Sequence, residues 1–115
     1  MDTKNNKEHL MLYATCPDMK TGKAIARALL DARLVACVNL LPGMTSLFRW
    51  DGEVQEEGEV AFIAKTTRPE IEAAKALFAK QHPYDEPALV ALPIVDGLPG
   101  FLSWIETETA DAVPD

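Results

Sequence analysis

Apolar residues cluster at the start of the chain between His9 and Thr15, in a Leu/Met/Tyr-rich run that stops at Cys16-Pro17. Proline cannot continue a central ladder, so the run predicts strand one. Asp18 has the side chain of a helix N-cap, and Ile25, Ala28, Leu29 and Ala32 then recur at helical spacing, which predicts helix one from Met19 to about Arg33 despite Gly22. From Ala36 to Trp50 the pattern turns strand-like, interrupted by Pro42-Gly43, and this predicts a long second strand with a bulge or bend. Asp51-Gly52 next supplies the residue pair that tolerates φ > 0 at both positions of a two-residue hairpin. Strand three follows, marked most strongly from Val60 to Thr66.

Thr67 and Glu70 stand three apart ahead of Ile71, Ala74, Leu77 and Phe78, the pattern of a capping box that opens helix two, which ends near His82-Pro83. Ala88 to Val95 reads as strand four, and Pro93, with no N–H to donate, puts it at a sheet edge or on a bulge. Phe101 to about Thr107 predicts a short terminal helix. The order is βαββαβ plus a C-terminal helix, an α+β arrangement of the ferredoxin-like, split-βαβ type in which an antiparallel sheet carries two helices on one face. Val60-Ala61-Phe62-Ile63-Ala64 is apolar on both faces, whereas a sheet with one wet face alternates. A homo-oligomer that covers the second face accounts for that pattern.

Length and composition narrow the function. At 115 residues the chain has the size of a single domain, 1–115, with its core over about 9–106 and with a polar N-terminus and a C-terminal tail expected to be flexible. It carries 11 Lys and Arg against 18 Asp and Glu, a net charge of -7 that repels a phosphate backbone, so nucleic acid is not an expected partner. Met1 to His9 contains no apolar core of a secretory signal, and the longest apolar stretch, Ala88 to Val95, falls short of the ~18 residues that span a bilayer. These features predict a soluble, cytoplasmic protein with no membrane partner. Cys16 and Cys37 are too few for a disulfide scaffold and fit a reducing compartment.

No motif points to catalysis. Lys20-Thr21-Gly22-Lys23 departs from a phosphate loop, with Pro17 at the first required glycine and Ala24 after the lysine, and no GxSxG elbow is present. The expectation is a protein that is not an enzyme. Cys16, at the end of strand one, sits where a thiolate can coordinate copper(I) or zinc, while its spacing alone favours a packed small hydrophobe. His82 is a candidate ligand or a partner of the negative end of helix two. Trp50, beside the hairpin turn, is expected to pack against a neighbouring subunit. Asp51, Glu53, Glu56, Glu57 and Glu59 are read as a solvated rim on the hairpin, with chelation of a hard cation as the alternative.

Several stretches together resemble the CutA family of divalent-cation-tolerance proteins: Ala36-Cys37-Val38-Asn39-Leu40-Leu41-Pro42-Gly43, Ser46-Leu47-Phe48-Arg49-Trp50, Glu59 to Thr66, His82-Pro83-Tyr84 with Pro87, and Ala91-Leu92-Pro93-Ile94. The resemblance covers about residues 9 to 106. It implies a ferredoxin-like protomer in a tight homotrimer, a role in divalent cation tolerance and response to metal ions, and copper binding through Cys16 and His82. Some members carry two adjacent histidines where this chain has Gln81-His82, and glutamine is a poor copper ligand. The resemblance further implies an inter-subunit cleft lined by Asn39, Arg49, Trp50, Lys65 and Tyr84. The alternative function is a signalling or scaffold trimer, similar in architecture to PII proteins, with a small anionic ligand or a protein partner in that cleft.

Overall fold

The computed structural model describes residues 8–109; the polar N-terminus and the C-terminal tail, both expected to be flexible, lie outside the described residues. Its elements run β1 (His9–Cys16), α1 (Met19–Asp31), β2 (Cys37–Trp50), β3 (Glu53–Thr67), α2 (Ile71–Gln81), β4 (Leu89–Pro93) and α3 (Pro99–Thr109). The four strands form one antiparallel sheet in the order β2-β3-β1-β4, the ferredoxin-like topology the periodicity predicts. β4 is an edge strand, so Pro93 removes no ladder bond from a central position.

Local chemistry accounts for most boundaries. The Asp18 carboxylate accepts the Thr21 N–H at 2.8 Å, which caps α1 and holds that carboxyl below its ordinary pKa. Gly22 lets α1 approach the sheet: a Cβ there would sit 3.1 Å from Leu40 Cδ2 and 3.9 Å from Cys16 Cβ. Asp51 (φ 54°) and Gly52 (φ 82°) turn the hairpin as their sequence predicts.

The capping box does not form. A short 3-10 turn, Arg68–Glu70 with Pro69 inside it, intervenes before α2, and the Thr67 hydroxyl makes no cap bond. That hydroxyl meets Thr109 Oγ1 at 3.3 Å instead, drawn away by a residue 42 positions downstream that no local pattern reveals. α3 extends two residues beyond each predicted end and packs at this end of the sheet, with Ile105 fully buried and the Leu102 carbonyl 3.1 Å from His9 Nε2.

One face of the sheet is closed. Leu10, Leu12, Ala14 and Cys16 of β1 and Phe62 and Ala64 of β3 pack under Ile25 and Leu29 of α1 and Ile71, Ala74 and Phe78 of α2. Phe62 and Phe78 meet edge to face at 5.3 Å. The opposite face is open: Tyr13, Leu41, Val90 and Leu92 are exposed on either side of a half-buried Ile63.

β2 and β3 continue past the sheet body as a hairpin arm. The Cα radius of gyration, 15.2 Å, exceeds the about 13 Å of a compact body of this length, and the extents are 50 × 26 × 23 Å. The register slips between Leu41 and Met44, where Gly43 takes φ +84°. Two residues of β2, Pro42 and Gly43, stand there against one of β3, Val60, and the extra residue inverts the alternation of the arm. Asn39 and Leu41 share a face with Met44, Ser46, Phe48 and Trp50, while Arg49 turns to the other side.

Candidate functional site

The inverted alternation brings the arm's aromatic residues over the loop that follows α2. Phe48 and Trp50 from β2, Tyr84 from the loop and Thr15 from the end of β1 line a cleft of about 740 Å³. Its charged residues are Glu57 and Glu59 from β3 and Asp85 and Glu86 from the loop, and among the described residues no lysine, arginine or histidine lines it. A recess with four carboxylates and no countercharge in its wall carries a negative potential that low-dielectric surroundings strengthen.

The loop is positioned by His82. The α2 helix stops where Pro83 follows, and His82 leaves the helical region with ψ 140°. The His82 ring is buried, its Nε2 lies 2.9 Å from the Thr15 carbonyl, and its Nδ1 is 3.2 Å from the Tyr84 backbone N–H. A carbonyl only accepts and an N–H only donates, so the ring is neutral with its proton on Nε2. Tyr84 closes the chain of contacts: its ring packs on His82 at 4.7 Å and its hydroxyl donates to Glu59 Oε2 at 3.1 Å. Burial first, then the Glu59 carboxylate, pushes the Tyr84 phenol up to about 12, so it remains a donor at neutral pH.

Glu59 corrects the reading of the hairpin carboxylates as a uniform solvated rim. It is 8% exposed, and Tyr84, 25 residues away, covers it, while Asp51, Glu53, Glu56 and Glu57 are exposed. No local pattern separates Glu59 from its acidic neighbours, and the cleft-lining Thr15, Phe48, Asp85 and Glu86 are likewise absent from the expected site.

The expected site residues divide into three groups. Trp50 and Tyr84 line the cleft. Asn39 and Lys65 do not; they hydrogen-bond to each other at 2.9 Å on the open sheet face, and Arg49 lies across the arm from Trp50. Cys16 and His82 are near each other but are not arranged as ligands. Both ring nitrogens of His82 are engaged, which leaves no lone pair for a metal. Nor does the ring bond to a carbonyl of its own helix; it spends its proton on Thr15. The Cys16 thiol is fully buried, and burial first, then the carboxylates of Glu59 and Asp18, pushes it up to about 11, so the coordinating thiolate is scarce at neutral pH. Among the described residues no three His, Cys, Asp or Glu side chains converge on one point. As arranged, these two residues do not fit a copper ion.

A family model described as CutA1 divalent ion tolerance protein matches residues 10–108. The chain belongs to the CutA1 family. It is 42% identical over 99 residues to the divalent-cation tolerance protein CutA of Thermus thermophilus, covering 86% of this chain and 96% of that one. It is 39% identical over 97 residues to Protein CutA of Mus musculus, covering 84% of this chain and 55% of the mouse protein, so it spans about half the length of that relative. A relative in Arabidopsis thaliana, 35% identical over 100 residues, is named as chloroplastic. The crystal structure of CutA from Xylella fastidiosa superposes with a TM-score of 0.87 at 36% identity, over 89% of this chain and 98% of that chain. The ferredoxin-like fold of the CutA1 family therefore stands, and among the described residues no helix is long and apolar enough to cross a membrane.

Proposed function

We propose that this protein acts in divalent-cation tolerance as a non-enzymatic, single-domain, cytoplasmic homotrimer that takes up divalent cations, copper among them, in the acidic cleft between the arm and the Tyr84 loop. The observation that carries the reading is the cleft's charge: Glu57, Glu59, Asp85 and Glu86 line it and, among the described residues, no cationic side chain does. Family membership supports the tolerance role, and the exposed apolar residues of the second sheet face support assembly with further copies. Because no three carboxylates converge among the described residues, an ion here completes its shell with water or with groups of a neighbouring copy. For a given oxygen and nitrogen site Cu²⁺ binds more tightly than the other first-row divalent ions, so copper is the strongest probe. An anionic ligand of the kind a PII-like trimer takes is disfavoured by the same carboxylates.

Calorimetric titration with Cu²⁺ and Mn²⁺ tests the proposal. The double variant Glu57→Gln, Asp85→Asn is expected to lose about tenfold or more in affinity through reduced charge, while Cys16→Ala binds as the parent does. Loss of binding in Cys16→Ala with no change in the double variant moves the site to the thiol. Sedimentation equilibrium at micromolar concentration is expected to give three times the 12.6 kDa chain mass; a one-chain mass removes the trimer. Subcellular fractionation tests the compartment.

A further inference from the structure

Charge is unevenly distributed over the surface of this chain. Although the net charge is -7, the exposed side of α1 carries Lys20, Lys23 and Arg27 and no acid before Asp31 at its end. Residues three and four apart are neighbours on a helix, so the three cations form one stripe. α2 packs beside α1 and adds exposed Lys75 and Lys80. Glu72 pairs with Lys75 at 3.1 Å and the Asp18 carboxylate accepts the Thr21 N–H, whereas Lys23, Arg27 and Lys80 enter no ion pair among the described residues. Both helices lie on the closed side of the sheet, so this surface faces away from Tyr13, Leu41, Val90 and Leu92, and assembly through those residues leaves it in solvent.

We infer that the outer face of α1, with the lysines of α2 beside it, is a docking surface for an acidic, extended peptide segment of another protein. The dimensions agree. Lys20 to Arg27 spans about 10 Å along the helix. Three carboxylates at alternate residues of an extended chain span about 13 Å, a difference that flexible lysine and arginine stems absorb. Exposed Ala24 on α1 and Ala73, Ala76 and Ala79 on α2 share these outer faces, and their small side chains let a peptide backbone come close. Salt limits the reach of a charge to about 8 Å under physiological conditions, so a peptide on α1 responds to these cations ahead of the net charge of the chain. A nucleic acid fits less well, because its charge runs on past the patch and neither helix exposes an aromatic ring on which a base could stack. An anionic bilayer also fits less well, since Leu30 is the one large apolar side chain these two helices expose.

Fluorescence anisotropy of a fluorescein-labelled peptide with glutamate at alternate positions, titrated with the full chain at neutral pH, tests this. Saturable binding is expected, weakening about tenfold as salt rises from about 50 to about 150 mM, and lost when glutamine replaces every glutamate of the peptide. The double variant Lys23→Gln, Arg27→Gln is expected to weaken the glutamate peptide about tenfold, with an unchanged circular-dichroism melt because both side chains are exposed. Arg68→Gln, an exposed cation on the 3-10 turn that pairs with Glu8, is expected to bind the peptide as the parent does. No binding by the parent, equal binding of the glutamine peptide, or unchanged binding in the double variant overturns the inference. Tighter binding of oligothymidylate or of phosphatidylserine vesicles than of the peptide overturns the choice of partner. None of these residues lines the cleft, so Cu²⁺ titration of the same double variant is expected to match the parent, and the metal reading and this one fail separately.

Discussion

Phe62 and Ile63 are consecutive residues of β3, and the sheet gives them different surroundings. Phe62 has no exposure and meets Phe78 at 5.3 Å beneath two helices. Ile63 faces the other way, among Tyr13, Leu41 and Val90, which are 37%, 50% and 55% exposed. One chain completes the first face, since α1 and α2 cross there; the second face offers apolar surface that no element of the described chain covers along most of its length. Stability of the subunit resides on the Phe62 side, and the proposed assembly uses the Ile63 side.

The largest effect expected is at the closed face. Phe62→Ala removes a fully buried ring and leaves a cavity under α2, and urea unfolding at fixed concentration should show a loss of about 3–5 kcal/mol. A loss below about 1 kcal/mol would mean that the closed face is not where the stability lies.

Next comes the pH dependence of the same core. The Cys16 thiol rises from 9.0 to about 11, so the folded chain keeps a proton that the unfolded chain releases. Its contribution is fully present below pH 9 and is lost as pH rises through 11, a decline of about 2 kcal/mol across that window. Tyr84, raised from 10.0 to about 12, adds a smaller decline of the same sign because the residue is 41% exposed. Denaturant midpoints measured from pH 8 to 11 should fall in the parent and fall less in Cys16→Ala; equal slopes would locate the titrating group elsewhere.

Asp18→Ala removes the cap of α1 and should cost about 1 kcal/mol, read as a shift in the thermal midpoint. The smallest subunit effect is expected on the open face: Val90→Asp should change the stability of the diluted chain by no more than about 0.5 kcal/mol. In sedimentation the same substitution should shift mass from three chains toward one. A Val90→Asp variant that unfolds as readily as Phe62→Ala when monomeric would erase the distinction between the two faces.

How far the sequence reaches differs from residue to residue. The Pro42-Gly43 bulge is visible in the sequence, yet its effect on the arm's alternation depends on which β3 residue stands opposite, and that pairing puts Trp50 rather than Arg49 on the face of Asn39. The Thr67 to Glu70 spacing describes a capping box well, but Thr109 offers the threonine hydroxyl a tertiary partner and Pro69 favours a 3-10 entry. Cys16 and His82 are chemically suited to soft metals, and only their hydrogen bonds and burial reveal a protonated thiol and an occupied imidazole. Family resemblance identifies the fold correctly because its motifs span nearly the whole chain.

The sequence by itself determined the βαββαβ order, the Asp51-Gly52 hairpin, the Asp18 cap and the restriction of the Pro93 strand to an edge or a bulge. These follow from side-chain periodicity and from backbone limits that act within a few residues. Only the tertiary structure decided that Glu59 is buried while its acidic neighbours are exposed, that His82 binds Thr15 and Tyr84 through its two nitrogens, and that the cleft is walled by rings and carboxylates. Burial and hydrogen-bond partnership belong to whichever distant segments meet across the sheet, and β1, the arm and the loop after α2 lie tens of residues apart in the chain.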